Sequence, residues 1–433
     1  MIIHIVEQGE TIWSIANEYG VSTERIIADN GLFGLESLVN GQALLILQPD
    51  TVYTVNDGDT IYSISSNFGI SANQLKQRNP SIAQSGTVTP GETIAIDFKD
   101  QDTAPINIYG FLYPNIKNNV LKSALPTLGS GAIFSYGSSS EGNLIEINDS
   151  NIINTIISAN SSPMMVLSSI TEEGSFDSNL ASDLFNNTQT QNIVISNILN
   201  TMRQKGYSGL DIDFEFVNAE DKDAYVNFVR NVTQQLNSNG FSVNVDLAPK
   251  TSATQSGTLY EGHDYRLLGE AANTVLVMTY EWGYTYSEPM AVAPINQVRR
   301  VIEYAVSEIP GEKIYMGIPN YGYDWKLPYE KGVTRARLIG NEEAVSIASE
   351  NRATILFDEK TQTPYFKYRA GDGSDHEVWF EDIRSIKAKF DLIDEFKLKG
   401  AGYWNLMRSF SQNWAYIGYR YNPIKPGTPI LTI

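Results

Sequence analysis

Cysteine is absent from all 433 residues. That excludes disulfides, thiol nucleophiles and cysteine-ligated metals, and it leaves the compartment open. Histidine is nearly absent. His4, His263 and His376 stand far apart, so no histidine-built metal centre is expected. Positive charge is scarce too: Lys and Arg total 31 against 50 Asp and Glu, a formal net charge of −19. This argues against nucleic acid or an anionic membrane surface as the main partner and suits a neutral or cationic one. No run reaches the roughly 18 consecutive apolar residues of a membrane span. The start, Met1-Ile2-Ile3-His4-Ile5-Val6-Glu7, lacks a basic segment followed by a long apolar stretch, so no export signal is expected.

What is present is ordinary for a folded protein, 42% hydrophobic and 19% charged. The chain is too long for one typical core, so two or more domains are expected. Its most informative stretch is Ser208-Gly209-Leu210-Asp211-Ile212-Asp213-Phe214-Glu215. Leu210, Ile212 and Phe214 alternate with Asp211, Asp213 and Glu215, the period of a strand. Successive strand side chains point to opposite faces, so three carboxylates share one face. Crowded, desolvated acids raise one another's pKa, which is how a general acid is kept protonated near its working pH.

The first hundred residues repeat. Val6-Glu7-Gln8-Gly9-Glu10-Thr11-Ile12-Trp13-Ser14-Ile15-Ala16 returns as Val55-Asn56-Asp57-Gly58-Asp59-Thr60-Ile61-Tyr62-Ser63-Ile64-Ser65, and Asn30 answers Asn79. Two copies of a small βααβ unit are expected, over 2–48 and 51–98. Thr11 and Thr60 can cap each first helix, Ser22 and Ser71 each second. Both copies resemble LysM modules, which bind N-acetylglucosamine-containing glycans such as peptidoglycan and chitin. By position, that resemblance puts the sugar groove at Gly9, Glu10, Thr11, Gly31 and Leu32 in the first copy. In the second it falls at Gly58, Asp59, Thr60, Pro80, Ser81 and Ile82. The same turn residues can also serve only to cap helices. Over 1–100 there are 4 Lys and Arg against 12 Asp and Glu, so sugar binding by the modules would rest on neutral hydrogen bonds and stacking.

Lys99-Asp100-Gln101-Asp102-Thr103-Ala104-Pro105 reads as a linker. Beyond it, strand-like runs at 106–113, 132–136, 164–170, 209–214, 242–248, 274–280, 313–319 and 400–406 alternate with helical stretches. Eight such units over 104–433 predict a (β/α)8 barrel, a TIM barrel, whose active site lies at the C-terminal ends of its strands. Residues 324–382 are expected to form a small α+β insertion after strand seven. Within it Gly371-Asp372-Gly373-Ser374 is read as a hairpin turn, in preference to a calcium loop built on Asp372 and Asp375.

The barrel resembles glycoside hydrolase family 18, the chitinase-like enzymes. The stretch ending Asp211-Ile212-Asp213-Phe214-Glu215 matches the family signature, with Ser208 where the first Asp usually stands. Met278-Thr279-Tyr280-Glu281 matches Met-x-Tyr-Asp with Glu281 substituted, and Gly402-Tyr403-Trp404-Asn405 matches the eighth strand. Ser168 matches a supporting serine on strand three. The resemblance implies a substrate-assisted retaining mechanism without metal or cofactor. In it Glu215 is the acid, Asp213 orients the substrate acetamido group, Asp211 shares a proton behind it, Tyr280 binds the acetamido oxygen, Trp404 lies beneath the sugar, and Asn405 is a further substrate-binding residue. Trp282, Tyr284, Tyr286, Trp325 and Tyr329 follow strands six and seven, where rings can stack on sugars or simply pack within loops.

Modules, barrel and missing leader together resemble the family's spore-cortex-lytic N-acetylglucosaminidases. That implies action on cortex peptidoglycan fragments during germination and a place in the spore envelope or cell wall. A chitinase and a catalytically dead glycan-binding barrel are the alternatives. A serine hydrolase built on His263-Asp264 lacks a nucleophile elbow.

Overall fold

The computed structural model describes residues 1–35, 37–98, 101, 103–170 and 177–426. Lys99, Asp100 and Asp102 of the expected linker, and 427–433 of the expected barrel domain, lie outside them.

Each N-terminal repeat is built around one buried asparagine. In the first, strands Ile2–Ile5 and Ala43–Ile46 pair antiparallel around helices Ile12–Tyr19 and Thr23–Asn30. Asn30 Nδ2 donates to the carbonyls of Ile26 and Leu45, and its Oδ1 accepts from Leu45 N at 2.7 Å. Asn79 makes the equivalent set with Leu75 and Ala95. One amide thus stitches the second helix to the closing strand, which explains why this residue recurs. Thr11 and Thr60 cap as expected, accepting from Ser14 N and Ser63 N at 3.1 and 3.0 Å. The second repeat departs from βααβ by one element. Pro80–Ser85 forms a short third helix, with proline in its first turn and Gly86 in the left-handed position after it.

The repeats are not loose appendages. Ala43, Leu45, Leu47, Ala95 and Phe98 join the same apolar core as the barrel, and Phe98 packs edge-on to Tyr419. Gln412, on the last helix Ser411–Arg420, donates to Asn30 Oδ1 and to the carbonyl of Ala43 at 2.9 and 2.7 Å.

The barrel strands are β1 (Ala104–Leu112), β2 (Ser130–Ser138), β3 (Ser162–Ser168), β4 (Gly209–Asp213), β5 (Ser242–Leu247), β6 (Thr274–Val277), β7 (Ile314–Pro319) and β8 (Gly400–Trp404). All pair in parallel in that order, and β8–β1 and β1–β2 pairing closes the cylinder. A closed parallel barrel buries both strand faces. Accordingly Leu210 and Ile212 face a dry core while Asp211 and Asp213 are buried as well. The insertion is a five-stranded antiparallel sheet, in the order Arg337–Ile339, Gly322–Leu327, Asp375–Trp379, Thr363–Arg369, Leu356–Asp358, carrying helix Asn341–Glu350. Its turn at 371–374 is a hairpin turn: Asp372 Oδ1 accepts from Ser374 N at 2.9 Å, and the two Ser374 hydrogen bonds pull its pKa down to about 2.

Candidate active site

β4 delivers the acids. Asp211 lies deepest, fully buried. Its Oδ2 accepts from Tyr109 on β1 at 2.6 Å and its Oδ1 from the Asn244 amide on β5 at 3.0 Å. Burial nonetheless pushes its pKa up to about 6, with both hydrogen bonds opposing. Asp213, two residues nearer the rim, is held well above the usual carboxylate range by burial, then by the charges of Glu215 and Asp211. Its Oδ1 is buried without a hydrogen-bond partner, and an unpaired buried acceptor calls for a donor. Glu215 stands just past the strand end, half-buried, its pKa raised by burial and by Glu281. Ser168 lies beside Asp213 in the β3–β4 register, its hydroxyl 2.9 Å from that of Ser135.

These groups open into a cleft of about 810 Å³, whose lining includes Asp213, Glu215, Tyr280, Trp282 and Trp404. Tyr280 is buried among the charges of Asp246, Asp213, Glu215 and Glu281. Trp404 is half-buried at the end of β8, braced edge-on by Phe111 and Phe134 with ring centroids 5.4 and 5.1 Å away. Glu281 takes a left-handed backbone (φ 68°), sparsely populated for a side-chain-bearing residue. Its carboxylate accepts from Tyr321 and, at 3.1 Å, from Tyr323, and burial raises its pKa.

Several expected residues lie elsewhere. Trp325 is fully buried in the insertion sheet, donating its indole N–H to the carbonyl of Ser287 at 2.7 Å, so its ring is closed to sugar. Asn405 is not among the residues lining the cleft; its Oδ1 accepts from Met407 N at 3.2 Å and its carbonyl from Asn320 at 3.0 Å. Tyr284 is exposed and outside the cleft lining. In the first repeat, Leu32 is buried, and Gly31 abuts Glu342 of the insertion so closely that a Cβ would stand 2.3 Å from its Oε1. That half of the expected sugar groove is occupied by the protein itself. Ile82 is wholly buried in the core of the second repeat, and Pro80 and Ser81 open its extra helix. Glu10 and Asp59 lock their turns, accepting from Glu7 N and Asn56 N at 2.7 and 2.8 Å. Gly9 and Gly58 remain open, with nothing within 4 Å of an added Cβ.

Sequence reasoning missed Asp246, Asn244 and Tyr109, and weighed His263 only for a serine hydrolase. Asp246 lines the cleft, its pKa driven well up by burial and by Asp211, and Asn244 Nδ2 bridges Asp211 and Asp246, 3.2 Å from the latter. The alternation Asn244-Val245-Asp246 on β5 was the available signal. His263 is buried and pushed down to about 4, hence neutral. Its Nδ1 accepts from Ala248 N at 3.2 Å and its Nε2 lies 3.1 Å from the carbonyl of Phe214, tying the loop that carries Glu215 to the end of β5. Among the described residues, the group placed to share a metal ion is His4, Glu10 and Glu18 in the first repeat. Both ring nitrogens of His4 there already have partners, Tyr19 and Glu10. No described helix is long and apolar enough to cross a membrane.

Comparison with known proteins agrees with this fold. Residues 108–408 match the family described as glycosyl hydrolases family 18, and 4–46 and 53–97 each match the LysM domain. The cortical fragment-lytic enzyme of Bacillus subtilis (strain 168) is 38% identical over 431 residues, covering 98% of this chain and 99% of that one. A putative sporulation-specific glycosylase of the same organism, YdhD, is 32% identical over 412 residues, covering 95% and 96%. The crystal structure of the Bacillus cereus spore cortex-lytic enzyme SleL superposes with a TM-score of 0.83 at 34% identity, covering 99% of each chain.

Proposed function

The chain belongs to family 18 of the glycosyl hydrolases, and on that premise we propose that it is a retaining N-acetylglucosaminidase of the spore envelope that cleaves cortex peptidoglycan fragments. Glu215 protonates the glycosidic oxygen. The substrate's own 2-acetamido carbonyl attacks the anomeric carbon, giving an oxazolinium ion, and Glu215 then takes a proton from the incoming water. The orphaned Asp213 Oδ1 accepts the acetamido N–H, which holds the internal nucleophile in line. Asp211 shares a proton behind it, Tyr280 donates to the acetamido oxygen, and Trp404 supports the sugar ring. Trp282 lines the same cleft and offers a further ring face. Gly9, Thr11, Gly58 and Thr60 form the parts of the LysM loops left open to glycan.

The observation that carries the mechanism is the ladder Asp211, Asp213, Glu215, with the unpaired buried oxygen in its middle rung. Peptidoglycan is favoured over chitin by Arg300, among the described residues the single cation lining a cleft with four carboxylates. It fits a substrate bearing carboxylates on its muramyl residues, which chitin lacks. The test is digestion of cortex fragments and of chitin oligomers, with mass spectrometry of the new reducing ends. New N-acetylglucosamine ends, formed faster from cortex fragments, are expected; faster cleavage of chitin oligomers would make the chitinase reading the better one.

A further inference from the structure

A second cleft, of about 620 Å³, lies between the second LysM repeat and the barrel and shares no lining residue with the first. One wall comes from the repeat, with Tyr62 at the start of helix Ile61–Phe68 and Asn73 and Lys76 on helix Ala72–Arg78. The other comes from the helices that follow β1 and β2, with Lys122 on Asn118–Ala124 and Asn154 on Ser150–Ser158.

Its chemistry is unlike that of the rest of the molecule. The chain carries a net charge of −19, yet among the described residues no carboxylate lines this cleft while two lysines do. The ammonium groups of Lys76 and Lys122 make no hydrogen bond or ion pair among the described residues, although both side chains are half-buried. A third cation stands behind the floor. Lys425 is 6% exposed, and its Nζ is held by neutral acceptors only, among them the carbonyl of Leu128 at 2.7 Å and Ser161 Oγ at 2.9 Å. Burial and the charge of Lys76 push its pKa down to about 7. The charges of Lys76 and Lys425 oppose each other, and an anion in the cleft relieves that repulsion. At the rim Tyr62 is 76% exposed, an aromatic ring presented to solvent without a packing partner. Such a ring stacks on the apolar face of a pyranose. Asn73 and Asn154 offer both donors and acceptors to hydroxyl and acetamido groups. The volume lies within the usual range for a ligand site.

We propose that this cleft is a further glycan site, built jointly by repeat and barrel, which holds a peptidoglycan strand by its sugar faces and carboxylates. It keeps an insoluble substrate attached while the other cleft cuts. The proposal rests on the reading that peptidoglycan is the substrate, and it adds the carboxylates as what this site recognises. Neutral chitin satisfies Tyr62 but not the lysines.

The test uses the full chain carrying Lys76→Gln and Lys122→Gln together, with Lys122→Glu as a second variant. Binding is measured to insoluble sacculi stripped of phosphate-bearing polymers and to chitin beads, and turnover on soluble cortex fragments is followed in parallel. The double variant is expected to bind sacculi about ten-fold more weakly, with a shallower salt dependence, and Lys122→Glu to weaken binding at least as much. Chitin binding and soluble turnover should match the parent. Unchanged binding to sacculi in both variants, or equal losses on sacculi and chitin, overturns the carboxylate site. A parent chain that does not turn over cortex fragments overturns the substrate reading instead, whatever the binding shows.

Discussion

Tyr109 on β1 donates its phenolic hydrogen to Asp211 on β4 at 2.6 Å, across the inside of the barrel and 102 positions along the chain. The bond supports the charged form of an acid that burial otherwise discourages. Tyr109→Phe keeps the ring packing against Phe111 and Tyr315 and removes only this hydrogen bond. A hydrogen bond to a buried charged group contributes about 1–3 kcal/mol, so kcat/KM on soluble fragments is expected to fall roughly ten-fold or more with the fold intact. Unaltered kinetics would show that Asp211 is structural.

Glu281 is expected to help set the alkaline limit of the reaction. Glu215 must hold a proton to act as acid; burial and then the charge of Glu281 make its ionisation harder and raise its pKa. Replacing Glu281 by Gln removes that charge, so the pKa of Glu215 falls. The alkaline limb of the pH profile of kcat/KM should then move to lower pH. A limb that stays put or moves upward would mean that Glu281 is neutral through the working range.

Arg300 is expected to separate the two substrate classes. Its guanidinium is exposed at the cleft, with Nη1 3.3 Å from Gln297 Oε1. Arg300→Gln should lower kcat/KM on cortex fragments several-fold, in line with loss of a charge-assisted contact, and leave chitin oligomers unaffected. Equal effects on both would remove the argument for carboxylate recognition in this cleft.

Trp325 is a folding residue. Trp325→Ala is expected to destabilise the chain by about 3–5 kcal/mol, read from denaturant unfolding. A drop in substrate affinity without loss of stability would restore it to the sugar site.

The barrel was legible because eight β-strands and their helices each carry a local pattern, and the acid ladder because a period of two places three carboxylates on one face. The rest depends on which distant segments meet. Nothing beside Tyr109 in sequence announces Asp211; barrel closure brings them together. Asn244 and Asp246 show the same alternation as the ladder, but a single acid in an apolar strand is not distinctive. Trp325 and Leu32 look like loop residues, yet Trp325 sits in a strand of the insertion sheet and Leu32 in the core of the first repeat, while Gly31, left-handed at φ 65°, lies against Glu342 more than 300 positions away in the chain. The helix Pro80–Ser85 was locally readable, since proline at its start and Gly86 after its end form a helix frame.

The account turns on Glu215 as the proton donor, and hydrolysis of defined cortex fragments by Glu215→Gln tests this most directly. The amide cannot give up a proton to the leaving oxygen, yet it keeps nearly the shape of the carboxyl. Turnover is expected to fall by roughly 10²–10⁴-fold, with attachment to insoluble wall retained. Turnover close to that of the parent chain would contradict the assignment of Glu215 and, with it, the mechanism built on the ladder behind it.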